Sequence, residues 1–369
     1  MTYFNEVSNL VSKGKLELIV VIAPPRTGST LLETVISKSS TIDVEVNEPF
    51  VNYGHFGEKP SDGYSKIYDE AVKVLSSQGK AILLVKEMSH WIYLDEEYKR
   101  LFSLTDKIVF SIRNPLLSTE SRIKKYAEPL SIKPRPEVQR WLLNYIAANR
   151  SGIDNKFSST AQDLEIQKQL LNTYAEIMSF KDWESMLVTT FKEQNYRPFT
   201  DILTADPSSF TLEQLGWGSL GDEVRFLSNL KKDFLIVDST DLRSKPEPIA
   251  KELSKQLGIN YHPNMIGGWH ENDFSHFITQ KSELDKADQF VWYDTISKSK
   301  DIRPPTEKPP EISSFPEPIQ EYIRTIAKPI YNNLFNSEKR VRNEGGGLNS
   351  SEGKQIDHIE HRTTQGRRK

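Results

Sequence analysis

Residues 19–36 read "IVVIAPPRTGSTLLETVI", and their reading decides the fold. Residues 19–23 are apolar and largely β-branched, the composition of a strand covered on both faces. Two prolines and a polar turn follow, and from Ser29 the pattern is helical. A strand running through a tight turn into a helix leaves unpaired backbone N–H groups at one point, and the helix dipole favours an anion there. Gly28 lets the backbone approach a ligand closely. Thr27, Ser29 and Thr30 offer hydroxyls, and Arg26 adds a planar cationic fork matched to phosphate or sulfate oxygens. Read alone, the stretch is equally a capped helix start with Arg26 in a surface ion pair. What it lacks is informative: no Lys-Ser or Lys-Thr follows the glycine, so the groups that reach a γ-phosphate and hold Mg²⁺ are missing.

Outward from this stretch, further apolar runs at 81–85, 107–112 and 233–237 match the one at 18–23. Helical patterns lie between them. Residues 64–76 place Ile67, Ala71, Val74 and Leu75 on one face, and 247–257 do so with Ile249, Leu253 and Leu257. Strands alternating with helices predict an α/β fold with a central parallel sheet between two helical layers. From about 124 to 230 the pattern is helical, with segments near 138–149, 164–178 and 183–191, and reads as a helical insertion within one domain spanning 1–336. The proline-rich stretch 301–318 predicts extended chain on the surface. A last helix is expected near 318–335, and 337–369 has the composition of a disordered tail.

The bulk numbers exclude whole classes. The chain has 369 residues, 27% of them charged, yet its formal net charge is only −3, so no basic field favours nucleic acid or an anionic membrane. Without cysteine it has no disulfide, thiolate metal site or cysteine nucleophile. The longest apolar run, 16–25, contains Glu17 and is far short of the roughly 20 residues of a membrane span. No secretory leader pattern opens the chain, and the expectation is a cytoplasmic protein.

"PPRTGSTLL" (24–32) resembles the 5′-phosphosulfate loop of the sulfotransferases that use 3′-phosphoadenosine 5′-phosphosulfate (PAPS). The arginine form is most similar to the protein-tyrosine and bacterial branches; cytosolic members usually carry lysine at the position of Arg26. The resemblance implies a second motif, a strand ending in arginine with a serine eight residues on, both binding the nucleotide 3′-phosphate. Residues 108–122, "IVFSIRNPLLSTESR", supply Arg113 and Ser121 at that spacing, with Pro115 suited to a first helical turn. A third stretch, 233–259, is similar to a late strand–turn–helix of the family and reads as structural. The resemblance thus covers roughly 16–126 and 233–300 and implies a P-loop-type sheet, PAPS as co-substrate and no required metal.

Sulfuryl transfer needs a base for the acceptor's proton and positive charge on the transferring group and leaving phosphate. The resemblance assigns Glu48, in "VEVNEPF" (44–50), as base, and Lys86, in "LLVKEMSHW" (83–91), to the leaving group together with Arg26. Glu87 and His90 are alternative bases. Cytosolic members carry a histidine two residues after that lysine, where this chain has Met88, which counts against a histidine base. The family's glycine-rich C-terminal phosphate segment has no match; "VWYDTISKSK" (291–300) stands in, with Lys298 and Lys300 as phosphate contacts and Trp292 or Tyr293 as a wall. The acceptor is expected to be a small-molecule or peptide hydroxyl or amine. Tyr126, Trp141, Tyr145 and Trp183 are candidates for its pocket or for the core. A nucleotide-dependent kinase and a catalytically silent nucleotide-binding protein are the competing readings.

Overall fold

β1 (Leu16–Ala23) lies at the centre of five strands, with its side chains alternating between two cores. Leu16, Leu18, Val20 and Ile22 pack on one face, and Ile19 and Val21 on the other. The same alternation runs through β3 (Ala81–Met88), where Leu83 and Val85 oppose Leu84, and through β4 (Lys107–Ile112), where Ile108 and Phe110 oppose Val109. β2 (Val44–Asn47) and β5 (Leu235–Asp238) form the two ends, giving the order β2-β3-β1-β4-β5. All four strand pairings are parallel. This computed structural model describes residues 2–51, 59–92, 96–122, 212, 215–270, 299–315 and 317–342.

Helices cover both faces. α1 (Tyr3–Ser12), α3 (Pro60–Leu75), α5 (Glu97–Ser103) and α6 (Trp217–Asn229) contribute to the first core. α2 (Ser29–Ser37) and α8 (Pro246–Leu257) contribute to the second, with Met265 and Trp269. The expected α/β architecture with a parallel sheet between helical layers is therefore observed. The segments 138–149, 164–178 and 183–191, and with them Tyr126, Trp141, Tyr145 and Trp183, lie outside the described residues. Two short helices, α4 (Ser89–Ile92) and α7 (Ser239–Ser244), follow directly from the carboxyl ends of β3 and β5.

Three boundaries differ from the sequence reading, each for a physical reason. β3 runs three residues past Val85, through Lys86 and Glu87, because those charged side chains find partners inside the fold. The last helix is interrupted: α9 (Glu317–Tyr322) and α10 (Lys328–Asn336) flank a π-helical turn at Ile323–Ala327. Pro329 has no N–H to donate to residue 325, and the wider turn absorbs that lost bond. The tail does not begin at 337. Ile236 N donates to Lys339 O (3.0 Å), Val341 N donates to Ile236 O (2.8 Å), and Val341 is buried against β5. Residues 339–341 thereby cover a strand edge that would otherwise expose unpaired backbone groups.

The strand order sets where a ligand crevice falls. From β1 the chain builds β2 and β3 on one side, then β4 and β5 on the other. In such sheets the crevice opens at the carboxyl end of the strand where the direction of winding reverses. Here that strand is β1, and its carboxyl end is followed by Pro24, Pro25, Arg26, Thr27 and Gly28.

Candidate functional site

The turn after β1 is held by its own strained backbone. Arg26 has φ 63° and Gly28 has φ 87°, both in the left-handed region that favours glycine. The sequence reading has Gly28 admitting a ligand; what it admits closely is Ser239, since a Cβ on Gly28 would lie 2.8 Å from Ser239 Cβ. Gly28 is the N-cap of α2 and supplies no side-chain acceptor to the first turn. Thr27 is fully buried, and its hydroxyl donates to Pro24 O (2.8 Å), so it shapes the turn from within. Ser29 is buried with Oγ 4.0 Å from Met88 Sδ, and Thr30 is half-buried.

Two motifs far apart in sequence meet here. Arg113 follows β4, and residues 115–122 are helical, as Pro115 predicts. Arg26 Nε donates to Ser121 Oγ (3.2 Å), and Arg113 Nη1 reaches Arg26 O (3.4 Å). Ser111 Oγ donates to Thr27 O (3.0 Å), fixing the turn to the end of β4. Burial lowers Arg113 from its ordinary value, while the nearby Glu307 carboxylate works the other way.

On the β3 side, Lys86 Nζ donates to Glu48 Oε1. Lys86 is 1% exposed and Glu48 16%, so of the pair the carboxylate is the group open to an incoming molecule. Glu48 has φ 44° and donates its N–H to Lys86 O (2.7 Å), which pins the residue beside the strand end. Left-handed backbone at a non-glycine residue is costly and concentrates where geometry serves function. By the strand alternation Lys86 faces α2 and Glu87 faces the opposite layer. Glu87 is fully buried and accepts from Phe50 N (2.8 Å) and Met88 N (2.7 Å). Burial, reinforced by the Glu48 charge, pushes its carboxyl up to about 8. Those bonds hold Glu87 inside the protein rather than at the crevice. His90 is buried on α4, its ring centroid 3.9 Å from that of Trp91.

Of the two C-terminal lysines expected to contact phosphate, only Lys300 falls on described residues. Lys300 is exposed, its carbonyl accepting from Trp269 N (3.0 Å), and among the described residues no hydrogen bond or ion pair joins its side chain to the crevice. Lys298, Trp292 and Tyr293 lie outside the described residues. Other residues, absent from the sequence reading, occupy that flank. Glu307 Oε1 lies 3.5 Å from Arg113 Nη2, and Arg243 Nη1 donates to both Glu307 oxygens (3.0 and 2.9 Å). Glu33, on α2, is fully buried, with burial and the neighbouring Glu45, Glu48 and Glu87 charges holding its carboxyl well above the usual range against the pull of Lys86. Gly216, the N-cap of α6, closes the back of the turn: a Cβ there would meet Ser89 Oγ at 2.8 Å and Pro25 Cδ at 3.0 Å. Only the proline content of 301–318 and the Gly-Trp-Gly at 216–218 hinted at special chain there.

These groups define a class by geometry: a doubly wound α/β protein with a cationic turn at its switch point and a lysine–glutamate pair alongside. Among the described residues no helix is long and apolar enough to cross a membrane. Compared with protein-family models, curated proteins and solved structures, the chain matches none of them.

Proposed function

We propose that this chain is a P-loop-type sulfotransferase, moving the sulfuryl group of PAPS to a hydroxyl or amine of a small-molecule or peptide acceptor. The observation that carries the reading is the Arg26 Nε–Ser121 Oγ hydrogen bond with Arg113 on the Arg26 carbonyl. It joins, across 95 residues, two motifs that the resemblance to sulfotransferases pairs on one nucleotide. Arg26 and the first-turn N–H groups of α2 would hold the 5′-phosphosulfate. Arg113 and Ser121 would hold the 3′-phosphate.

In the transfer, the acceptor oxygen or nitrogen bonds to sulfur as the bond from sulfur to the 5′-phosphate oxygen breaks, leaving adenosine 3′,5′-diphosphate. Glu48 takes the acceptor's proton. Lys86, buried behind Glu48, would meet the charge growing on the leaving oxygen only if the bound co-substrate reaches past the carboxylate to its ammonium. The contact with Lys86 holds the Glu48 carboxylate at the strand end, facing the crevice.

A thermal-shift comparison tests the reading. Adenosine 3′,5′-diphosphate should raise the melting temperature of the full chain, and ATP with Mg²⁺ should not. Stabilisation by ATP with Mg²⁺ alone would reject the sulfotransferase reading and favour a kinase.

A further inference from the structure

The proline-rich chain after Ile302 crosses the flank of the crevice as a strap. Ile302 and Phe315 are buried at its two ends, and 303–311 between them is mostly exposed. Arg243 is its main anchor on the body among the described residues. Arg243, on α7, donates Nε to Arg303 O (3.0 Å), Nη2 to Pro304 O (2.9 Å) and Nη1 to both oxygens of Glu307. Glu307 is thereby brought between Arg243 and Arg113.

We propose that Arg113 and Arg243 form one phosphate clamp in which the Glu307 carboxylate is a built-in competing anion, displaced with its strap when a nucleotide 3′-phosphate binds. This rests on the functional reading above, which already gives Arg113 a phosphate; the new elements are Arg243 as a second ligand and Glu307 as the resident occupant. Three observations carry it. The two arginine side chains are 13% and 18% exposed and belong to the sheet ends, whereas Glu307 is 42% exposed and belongs to the strap, so the carboxylate is the removable partner. Its 3.5 Å approach to Arg113 is longer than the roughly 2.7–2.9 Å of a tight charge-assisted bond, leaving that arginine under-engaged. A phosphate monoester brings about two negative charges and three acceptor oxygens where a carboxylate brings one and two, and so fits two convergent guanidinium forks better.

The strap is suited to leaving. Pro304, Pro305, Pro309 and Pro310 have no N–H, so few backbone bonds tie it down. Its packed ends at Ile302 and Phe315 can stay in place while 303–311 swings.

Calorimetric titration of the full chain with adenosine 3′,5′-diphosphate and adenosine 5′-phosphate tests the clamp. Glu307→Gln should tighten the diphosphate by about fivefold, the reach of a half-exposed ion pair that a ligand no longer displaces. It should leave the 5′-phosphate compound, which has nothing to put in the clamp, unchanged. Amide exchange at 306–308 should speed up in the wild-type chain when the diphosphate is added. Diphosphate binding that is equal in wild type and Glu307→Gln, or an equal gain for both nucleotides, overturns the clamp and leaves the functional reading standing. Binding of neither nucleotide to either protein overturns both.

Discussion

Glu48 concentrates the catalytic question in one side chain: it is left-handed, part-exposed and paired with a buried lysine. Glu48→Gln keeps size and a hydrogen bond to Lys86 but removes the base. Nucleotide affinity should stay within about twofold, while turnover with a working acceptor should fall by roughly 10²–10⁴. Undiminished turnover would move the base elsewhere, and Glu87 is badly placed to take over, since two backbone N–H groups hold it in the interior. Gly28 makes the complementary structural prediction. An alanine there meets Ser239 Cβ at 2.8 Å and a φ of 87°, so Gly28→Ala should destabilise the fold by about 2–4 kcal/mol in urea unfolding. Adding Ser239→Gly should recover the part due to contact and leave the part due to φ. Gly28 and Arg26 were legible because a strand, a polar turn and a helix start meet there, and Ser121 only through the resemblance that pairs it with Arg113. Arg243 and Glu307 were not, because the fold, across 64 residues, is what joins them.

At the scale of elements, local composition marked where strands lie better than where they stop. The run at 107–112 coincides with β4, whereas β3 continues through Lys86 and Glu87, residues that look like a strand's end until their buried partners are known. β5 shows the opposite shift. Asp233 and Phe234 precede the ladder, and Asp238, outside the expected run, ends it. Asp238 is also the junction between elements: fully buried, it accepts from Thr240 N (2.7 Å) as the cap of α7 and from the Tyr331 hydroxyl (3.1 Å) of α10. Asp238→Ala removes a cap and leaves the part-buried Tyr331 hydroxyl without its acceptor, and should cost about 1–3 kcal/mol in chemical denaturation. Tyr331→Phe should cost about 0.5–1.5 kcal/mol. If the bond ties α10 to the sheet, the double variant will be less destabilised than the sum of the two. Strict additivity would mean that α10 is held by its apolar face alone.

Across the whole molecule, the buried carboxyls set how stability depends on pH. Glu33, Glu87 and Glu223 are each fully buried, and burial raises all three above the usual carboxylate range. Glu33 lies on α2 under Lys86 of β3, with Glu45 and Glu48 from the β2 side and Glu87 beyond; Glu223, on α6, feels Asp222 and Glu87. A raised folded value means that the native state holds protons which the unfolded chain releases near pH 4.5. Their stabilisation is therefore complete below that pH and declines as pH rises, for Glu87 through about 8. Glu17 and Asp233 shift downward through their lysine partners and Glu307 through its own backbone N–H and Arg243, and all three act oppositely, losing stability as pH falls into the acid range. Stability should peak on the acid side of neutrality and fall between pH 5.5 and 8.5, by up to about 1.4 kcal/mol per pH unit for each proton involved. Glu33→Gln isolates one contribution. Among the described residues neither Glu33 oxygen has a hydrogen-bond partner, so the neutral isostere should match wild type near pH 5. At pH 8.5 it should melt at a higher temperature than wild type, because it has no proton to lose on unfolding. A wild-type melting temperature that is flat or rising across this range would show that Glu33, Glu87 and Glu223 are ionised in the folded protein.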